Sequence, residues 1–385
     1  MKKNIFYTAI LIAGLTFTTT ACSNDDDDTT QSPIDLECTQ NNVASWGNYM
    51  KVVATLLKND AANLYSDWNN SYEGGDSYAE TFKKHNSTTF SSALNCVQQI
   101  IDGCYDIANE VGTQKIGDPY EKYEAGNISG ALYAVESWYS WHSREDYSNN
   151  ILSIRNAYYG TRDGSINDNS ISKILANNGY SELNNQMIAT INKAYDAILD
   201  IPQPFRNNIN SSEAEAAMEA CAELANLLTN TLKPTITNNT TLSSNSTLDP
   251  VVQQYVDVVV LPTYLDLKNE TEALYKTVST FQANPSNAAF TTAASAWVKA
   301  RGPWETSEAF LFGPVASKGL DPNMDSWPLD QDAIVNILNS GNYADLEWSG
   351  DYDEDNEDIA AAQNVRGFHT LEYLLFKDGK ARTIK

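Results

Sequence analysis

Long stretches of apolar residues at helical spacing, with no regularly alternating strand pattern, constrain this chain most. Between 43 and 68, Val43, Trp46, Met50, Val53, Leu57, Leu64, Tyr65 and Trp68 recur at close to the period of about 3.6 residues that marks an amphipathic helix. The segments "ELNNQMIATINKAYDAILDI" (182–201) and "SEAEAAMEACAELANLLTNTL" (212–232) are also of helix length, with Ser181 and Ser212 as capping candidates. "DPVVQQYVDVVVLPTYLDL" (249–267) opens another, with Asp249 as cap and Pro250 in the first turn. Its valine run has strand propensity. Helix is preferred because Val252, Tyr255, Val256 and Val259 share one face, and Pro262 is expected to kink or divide the remainder of the segment. The expected class is all-α.

A chain of 385 residues accommodates two domains at about 150 residues each. The best boundary is the polar stretch "PTITNNTTLSSNSTLDP", bracketed by Pro234 and Pro250. The expected organisation is a helical domain over 38–233, a linker over 234–249 and a helical domain over 250–385. Helices joined by modest loops favour bundle packing. Residues 1–21 read as a lipoprotein signal peptide: Lys2 and Lys3 precede an apolar run too short to span a bilayer, and Cys22 would carry the lipid. An ordinary cleaved signal with an incidental cysteine is the alternative. Residues 22–37, with "NDDDD", read as an acidic disordered tether. The expected location is the outer membrane, facing the periplasm or the cell surface.

The net charge of −25 argues against a nucleic-acid partner, which needs clustered Lys and Arg. It favours cations without naming one. Cys38, Cys96, Cys104 and Cys221 form no C-x-x-C pair, leaving disulfides or buried thiols open.

Three constellations could carry chemistry. In "RGFHTLEYLLF" (366–376), a helix over 358–376 would put His369 and Glu372 at i and i+3 on one face, beside an apolar stripe of Phe368, Leu371 and Leu375. An imidazole and a carboxylate bind a metal ion jointly or form an ion pair that raises the histidine pKa. In "WVKARGPWETSEAFLFGP" (297–314), Arg301 precedes Glu305 by four residues and Glu308 follows by three. The tryptophans and phenylalanines around them make a solvated salt-bridged face a poor description, so these carboxylates need partners. In 133–160, Glu136, Ser137, Ser140, His142 and Asp146 lie among aromatics, without the G-x-S-x-G elbow of a serine hydrolase. The acidic run "DYDEDNED" (351–358) starts like a calcium loop, but Asn356 stands where glycine is needed and Ala362 where glutamate is needed.

Together these segments resemble the imelysin family. "GFHTLEYLLF" is similar to its G-x-H-x-x-E signature through Gly367, His369 and Glu372, and "AWVKARGPWETSEAFLFGP" with "WPLD" (327–330) resembles a second family segment. "CYDIANEVGTQKIGDPY" (104–120) and "ESWYSWHSREDYSNNI" (136–151) resemble the family's other half. Their order is reversed relative to better-known members, as in a circularly permuted one. The resemblance implies two helical-bundle domains with the site at their interface, export, an association with iron acquisition, and a classification with insulin-cleaving-type metallopeptidases. It carries His369 and Glu372 over first, Arg301, Glu305 and Glu308 next, then Glu136, Ser137 and Asp146. Two ligands do not fill a metal shell. Glu305, Glu308 or Asp146 are expected to complete it with water around a divalent or ferric ion, iron ahead of zinc. Arg301 is expected to orient a carboxylate or hold an anionic chelate.

The leading expectation is a cell-envelope lipoprotein that binds a metal ion or iron chelate, in iron uptake, anchored through Cys22. The alternative is a metallopeptidase, with Glu372 or Glu305 as the general base toward metal-bound water. A glycan-binding surface lipoprotein, with 21 Tyr and 8 Trp as stacking platforms, is the third reading.

Overall fold

The first amphipathic segment forms α1, Val43–Asn69, and buries Trp46, Met50, Val53, Leu57, Leu64 and Trp68. A computed structural model describes residues 36–385 of the chain; the signal segment, Cys22 and nearly all of the acidic tether lie outside the described residues. The elements that position the site are α2 (Ala93–Glu110), α3 (Ser143–Tyr159), α4 (Ser181–Asp200), α5 (Ser212–Leu227), α6 (Leu261–Ala283), α7 (Asn287–Glu305), α8 (Leu320–Asp325) and α9 (Gly367–Leu375). The fold is all-α: among the described residues the only sheet pairs β1, Phe376–Lys377, with β2, Lys380–Ala381.

The helices pack in two groups. α1 packs on α6, α6 on α7, and α9 against both α1 and α7. In the other group α4 packs on α5 and α3, while α2 packs on α5 and α3. α3 also packs against α7, and this seam holds the site. The described residues, 36–385, belong to one compact unit. The N-terminal helix α1 thus packs with helices that come after residue 250.

Several local expectations are revised. Ser211, not Ser212, caps α5 by accepting the Ala214 N–H, because the extended backbone falls one residue earlier. Tyr180 precedes α4 without a side-chain cap, and the Ser181 hydroxyl donates back to the Ala176 carbonyl. The valine run is helical, but its helix starts at Asn245 and contains Pro250; Asp249 instead faces the His85 imidazole at 3.1 Å. Pro262 does not divide the chain. A π-helical turn, Tyr255–Val260, shifts the hydrogen-bond register just before α6, so the missing proline donor falls at a helix start. Residues 234–249 carry the helix Lys233–Asn238 and the start of the Asn245 helix, with Ile236, Leu242 and Leu248 buried.

The expected helix over 358–376 is two helices. Asn356 accepts the Asp358 and Ile359 N–H groups to cap Glu357–Gln363, and α9 begins afresh at Gly367. Gly367 has φ +82, and a Cβ there would lie 2.5 Å from the Met324 carbonyl oxygen. Only glycine permits both the left-handed backbone and that approach. Cys38, Cys96, Cys104 and Cys221 are buried free thiols. Burial pushes the Cys38 thiol up to about 11 and Cys96 and Cys221 up to about 12, so they are inert packing residues.

Candidate functional site

α9 is buried along its whole length and carries His369 and Glu372 into the interior, both 0% exposed. Their i, i+3 spacing places the His369 Nδ1 2.9 Å from Glu372 Oε2. The other Glu372 oxygen is saturated: Oε1 accepts from the Tyr139 N–H at 3.0 Å, the Ser140 N–H at 2.7 Å and the Ser140 hydroxyl at 2.7 Å. The segment that supplies these donors holds Ser137 at φ 54 and Trp141 at φ 64, conformations that non-glycine residues rarely adopt. The backbone is bent there to aim two N–H groups at one carboxylate oxygen. Glu372 thereby fixes the orientation of the His369 ring.

On the other side of that ring, Nε2 lies 3.1 Å from Asp325 Oδ1 and 3.3 Å from Glu136 Oε1. Burial and then the nearby Arg301 oppose protonation, but Asp325 and Glu136 outweigh them and hold the His369 pKa well above its ordinary value. The ring thus has a carboxylate on each side, Glu372 at Nδ1 and Asp325 with Glu136 at Nε2. Trp327 stands edge-on to it at 4.9 Å.

Arg301, 1% exposed on α7, is the hub. Its NH2 group lies 2.5 Å from Glu136 Oε1 and 2.6 Å from Glu305 Oε1, and its Nε lies 3.2 Å from Asp146 Oδ2. NH1 pairs with Asp325. NH2 also lies 3.3 Å from His369 Nε2, and the two side chains share the Glu136 and Asp325 carboxylates. Further donors complete the framework. The Trp304 indole N–H donates to Asp325 Oδ2 at 2.6 Å, Asn150 donates to Glu305 Oε2 at 2.6 Å, and the Ser137 hydroxyl donates to Asp146. Lys115 Nζ lies 2.9 Å from Glu136 Oε2.

The carboxylates differ in how well they are satisfied. Burial works to raise Glu136, but Lys115, His369 and Arg301 together hold it well below its usual range. Burial likewise opposes ionisation of Asp325, and Arg301 and His369 overcome it. Burial dominates at Glu305 and Glu308 and pushes both well above the usual carboxylate range, against Arg301 at the first and Lys115 at the second. Glu305 Oε1 sits 2.6 Å from Arg301 yet receives no aligned hydrogen bond, so the pair is coulombic only. Glu308, 7% exposed, has no hydrogen bond or ion pair among the described residues. At the rim, Asp321 is reached by water. Incomplete solvation, then Asp325 and Glu110, push it up to about 7.

Two overlapping groups offer ligand atoms lying within 4.8 Å of one another: Glu136, Asp325 and His369, and Glu305, Glu308 and Asp325. The structure thus brings His369, Glu372, Arg301, Glu305, Glu308, Glu136, Ser137 and Asp146 into one seam. Asp146 and Ser137 sit on the Arg301 side of it, outside both groups. His142 stays out, with Nδ1 3.2 Å from the Ser140 carbonyl, and Ser137 faces a carboxylate, not an imidazole. Sequence reasoning missed Asp325, which belongs to both groups, and Lys115. Asp325 stands two residues before the "WPLD" stretch, and Lys115 lies within "EVGTQKIGDPY".

Comparison with known proteins places this chain in a family. The imelysin family model matches residues 24–231 and 260–385, and the chain belongs to the imelysin family. It is 59% identical to an imelysin peptidase from Bacteroides ovatus of known crystal structure, covering 92% of this chain and 100% of that one with a TM-score of 0.90. It is 33% identical over 132 residues to iron-regulated protein A of Synechococcus elongatus. That match spans 32% of this chain and 31% of the relative, about a third of its length. A crystal structure of a putative iron-regulated protein A precursor from Parabacteroides distasonis is 34% identical, covering 45% of this chain and 51% of that one, with a TM-score of 0.42.

Proposed function

We propose that this protein binds a metal cation at the seam between α3 and α7, in the iron-related role that the names of its relatives suggest. Glu305, Glu308 and Asp325 would supply the ligand oxygens, with Glu136 and His369 alongside. The observation that carries this reading is the convergence of three carboxylates, Glu305, Glu308 and Asp325, in which Glu308 is 7% exposed and accepts no hydrogen bond among the described residues. Such a group is costly unless it is protonated or meets a cation. The residues fit a metal. An all-oxygen set suits hard cations such as ferric, manganous or magnesium ions better than zinc. Arg301 already engages Glu136, Asp325, Glu305 and the His369 ring, which leaves Glu308 as the most available carboxylate of the cluster. Glu372 then acts as a positioning residue for His369, whose loss reduces affinity through ring orientation.

The test is calorimetric titration of metal-stripped protein with ferrous, ferric, manganous and zinc ions. Binding that weakens about 10-fold or more in Glu308→Gln and Asp325→Asn supports the reading, a difference of about 1.4 kcal/mol. Affinity unchanged in both variants removes it. A second reading, metal-dependent peptide hydrolysis with Glu305 or Glu372 as base, is favoured by the Bacteroides ovatus relative being named a peptidase. Metal-dependent cleavage of unfolded peptides, lost in Glu305→Gln, would promote it. We also propose the lipid anchor at Cys22; Cys22→Ala should release the protein from membranes, and unchanged membrane fractionation would overturn that proposal. The reversed segment order is proposed to reflect a circular permutation.

A further inference from the structure

Lys115 ends a π-helical turn, Val111–Lys115, that continues directly from α2. In a π-turn residues five apart are bonded neighbours. Glu110 and Lys115 have that spacing, and the Lys115 Nζ lies 3.9 Å from Glu110 Oε1. The same ammonium lies 2.9 Å from Glu136 Oε2 on its inner side. The Lys115 side chain is 9% exposed and that of Glu110 is 48% exposed, so the lysine bridges the buried cluster and the solvent edge. Glu136 in turn belongs with Asp325, one of the carboxylates assigned above to the metal, to one group of converging ligand atoms.

The two cations of the site are held very differently. Arg301 is pinned by Glu136, Asp146, Glu305 and Asp325. Lys115 is a point charge on a flexible stem with one close buried partner. Glu136 does not depend on it, since it keeps Arg301 at 2.5 Å and His369 at 3.3 Å. We propose that Lys115 is the displaceable counter-ion of the metal site: it holds Glu136 and adds its positive charge to the carboxylate cluster when no metal is bound, and withdraws toward Glu110 when a hard cation takes the Glu305, Glu308 and Asp325 oxygens.

This rests on the metal reading above and has its own test. A lysine that only supports the fold lowers or leaves unchanged the affinity for metal when it is removed. A competing counter-ion raises it. Metal-stripped wild type, Lys115→Met, Lys115→Gln and Lys115→Arg are titrated with manganous chloride by calorimetry, with helicity checked by circular dichroism. The expected result is a gain of about 10-fold in Mn2+ affinity for Lys115→Met and Lys115→Gln, and little change for Lys115→Arg. Glu110→Gln should weaken Mn2+ binding in the wild-type background and do so much less in Lys115→Met, where no ammonium needs a place to go. Wild type binding Mn2+ while both neutral variants fold and bind equally or more weakly overturns the counter-ion role. Wild type and variants all failing to bind any hard cation instead overturns the metal reading itself.

Discussion

Glu308→Gln separates the cost of the site from its use. Glu308 is buried, lacks a hydrogen bond or ion pair among the described residues, and burial raises its pKa well above the ordinary value of 4.5. The folded protein therefore keeps a proton that the unfolded chain releases once pH exceeds that value. Folding stability falls as pH rises from there toward the folded pKa, and levels off once the buried carboxyl ionises. Glutamine is isosteric with the neutral acid and never ionises. Removing an unpartnered buried ionisable group is worth on the order of 1–3 kcal/mol. An unfolding entropy of about 2 cal/mol/K per residue over residues 36–385 gives about 1.4 °C per kcal/mol. Differential scanning calorimetry of metal-free protein should then show Tm rising by about 1.5–4 °C at pH 8 and unchanged near pH 4.5. Added metal should stabilise wild type but not the variant. A variant less stable than wild type at pH 8 would mean that Glu308 already has a favourable partner, and would refute the reasoning.

Arg301→Met leaves Glu136, Asp146, Glu305 and Asp325 without their shared cation. It should cost about 3–5 kcal/mol, read as a loss of about 4–7 °C in Tm; a change under 1 °C would show that the pairs contribute nothing net. Gly367→Ala forces a Cβ toward the Met324 carbonyl, next to Asp325, at a left-handed position. It should lower Tm and weaken metal binding together, because one shift moves both His369 and Asp325; an unchanged Tm and affinity would count against that coupling.

The range of each interaction decides how much of the fold and site was legible in the sequence. The helical period of 43–68 depends only on neighbours in the chain, and α1 buries Trp46, Met50, Val53 and Leu57 as expected. The i, i+3 relation of His369 and Glu372 and the i, i+4 relation of Arg301 and Glu305 are also local, and both pairs are in contact. The break before Gly367 was not legible, because it is set by the close approach of Met324, distant in sequence. Asp325 escaped notice for the same reason. Nothing around it repeats or alternates, and its importance comes from Arg301, Trp304 and His369 converging on it from two other helices. Lys115 reaches Glu136 only because a π-turn alters the helix register, which no residue pattern announces. The cap at Ser211 in place of Ser212 reflects a one-residue shift between adjacent equivalent serines.

A hard cation held by Glu305, Glu308 and Asp325 is the central claim. The most direct measurement is anomalous diffraction from crystals soaked in manganous chloride, recorded at an energy where manganese scatters anomalously. The expected result is a single strong peak bonded to carboxylate oxygens of those three residues, with the Lys115 ammonium moved from Glu136 toward Glu110. No peak in the seam between α3 and α7, with manganese found only at surface carboxylates, would contradict it.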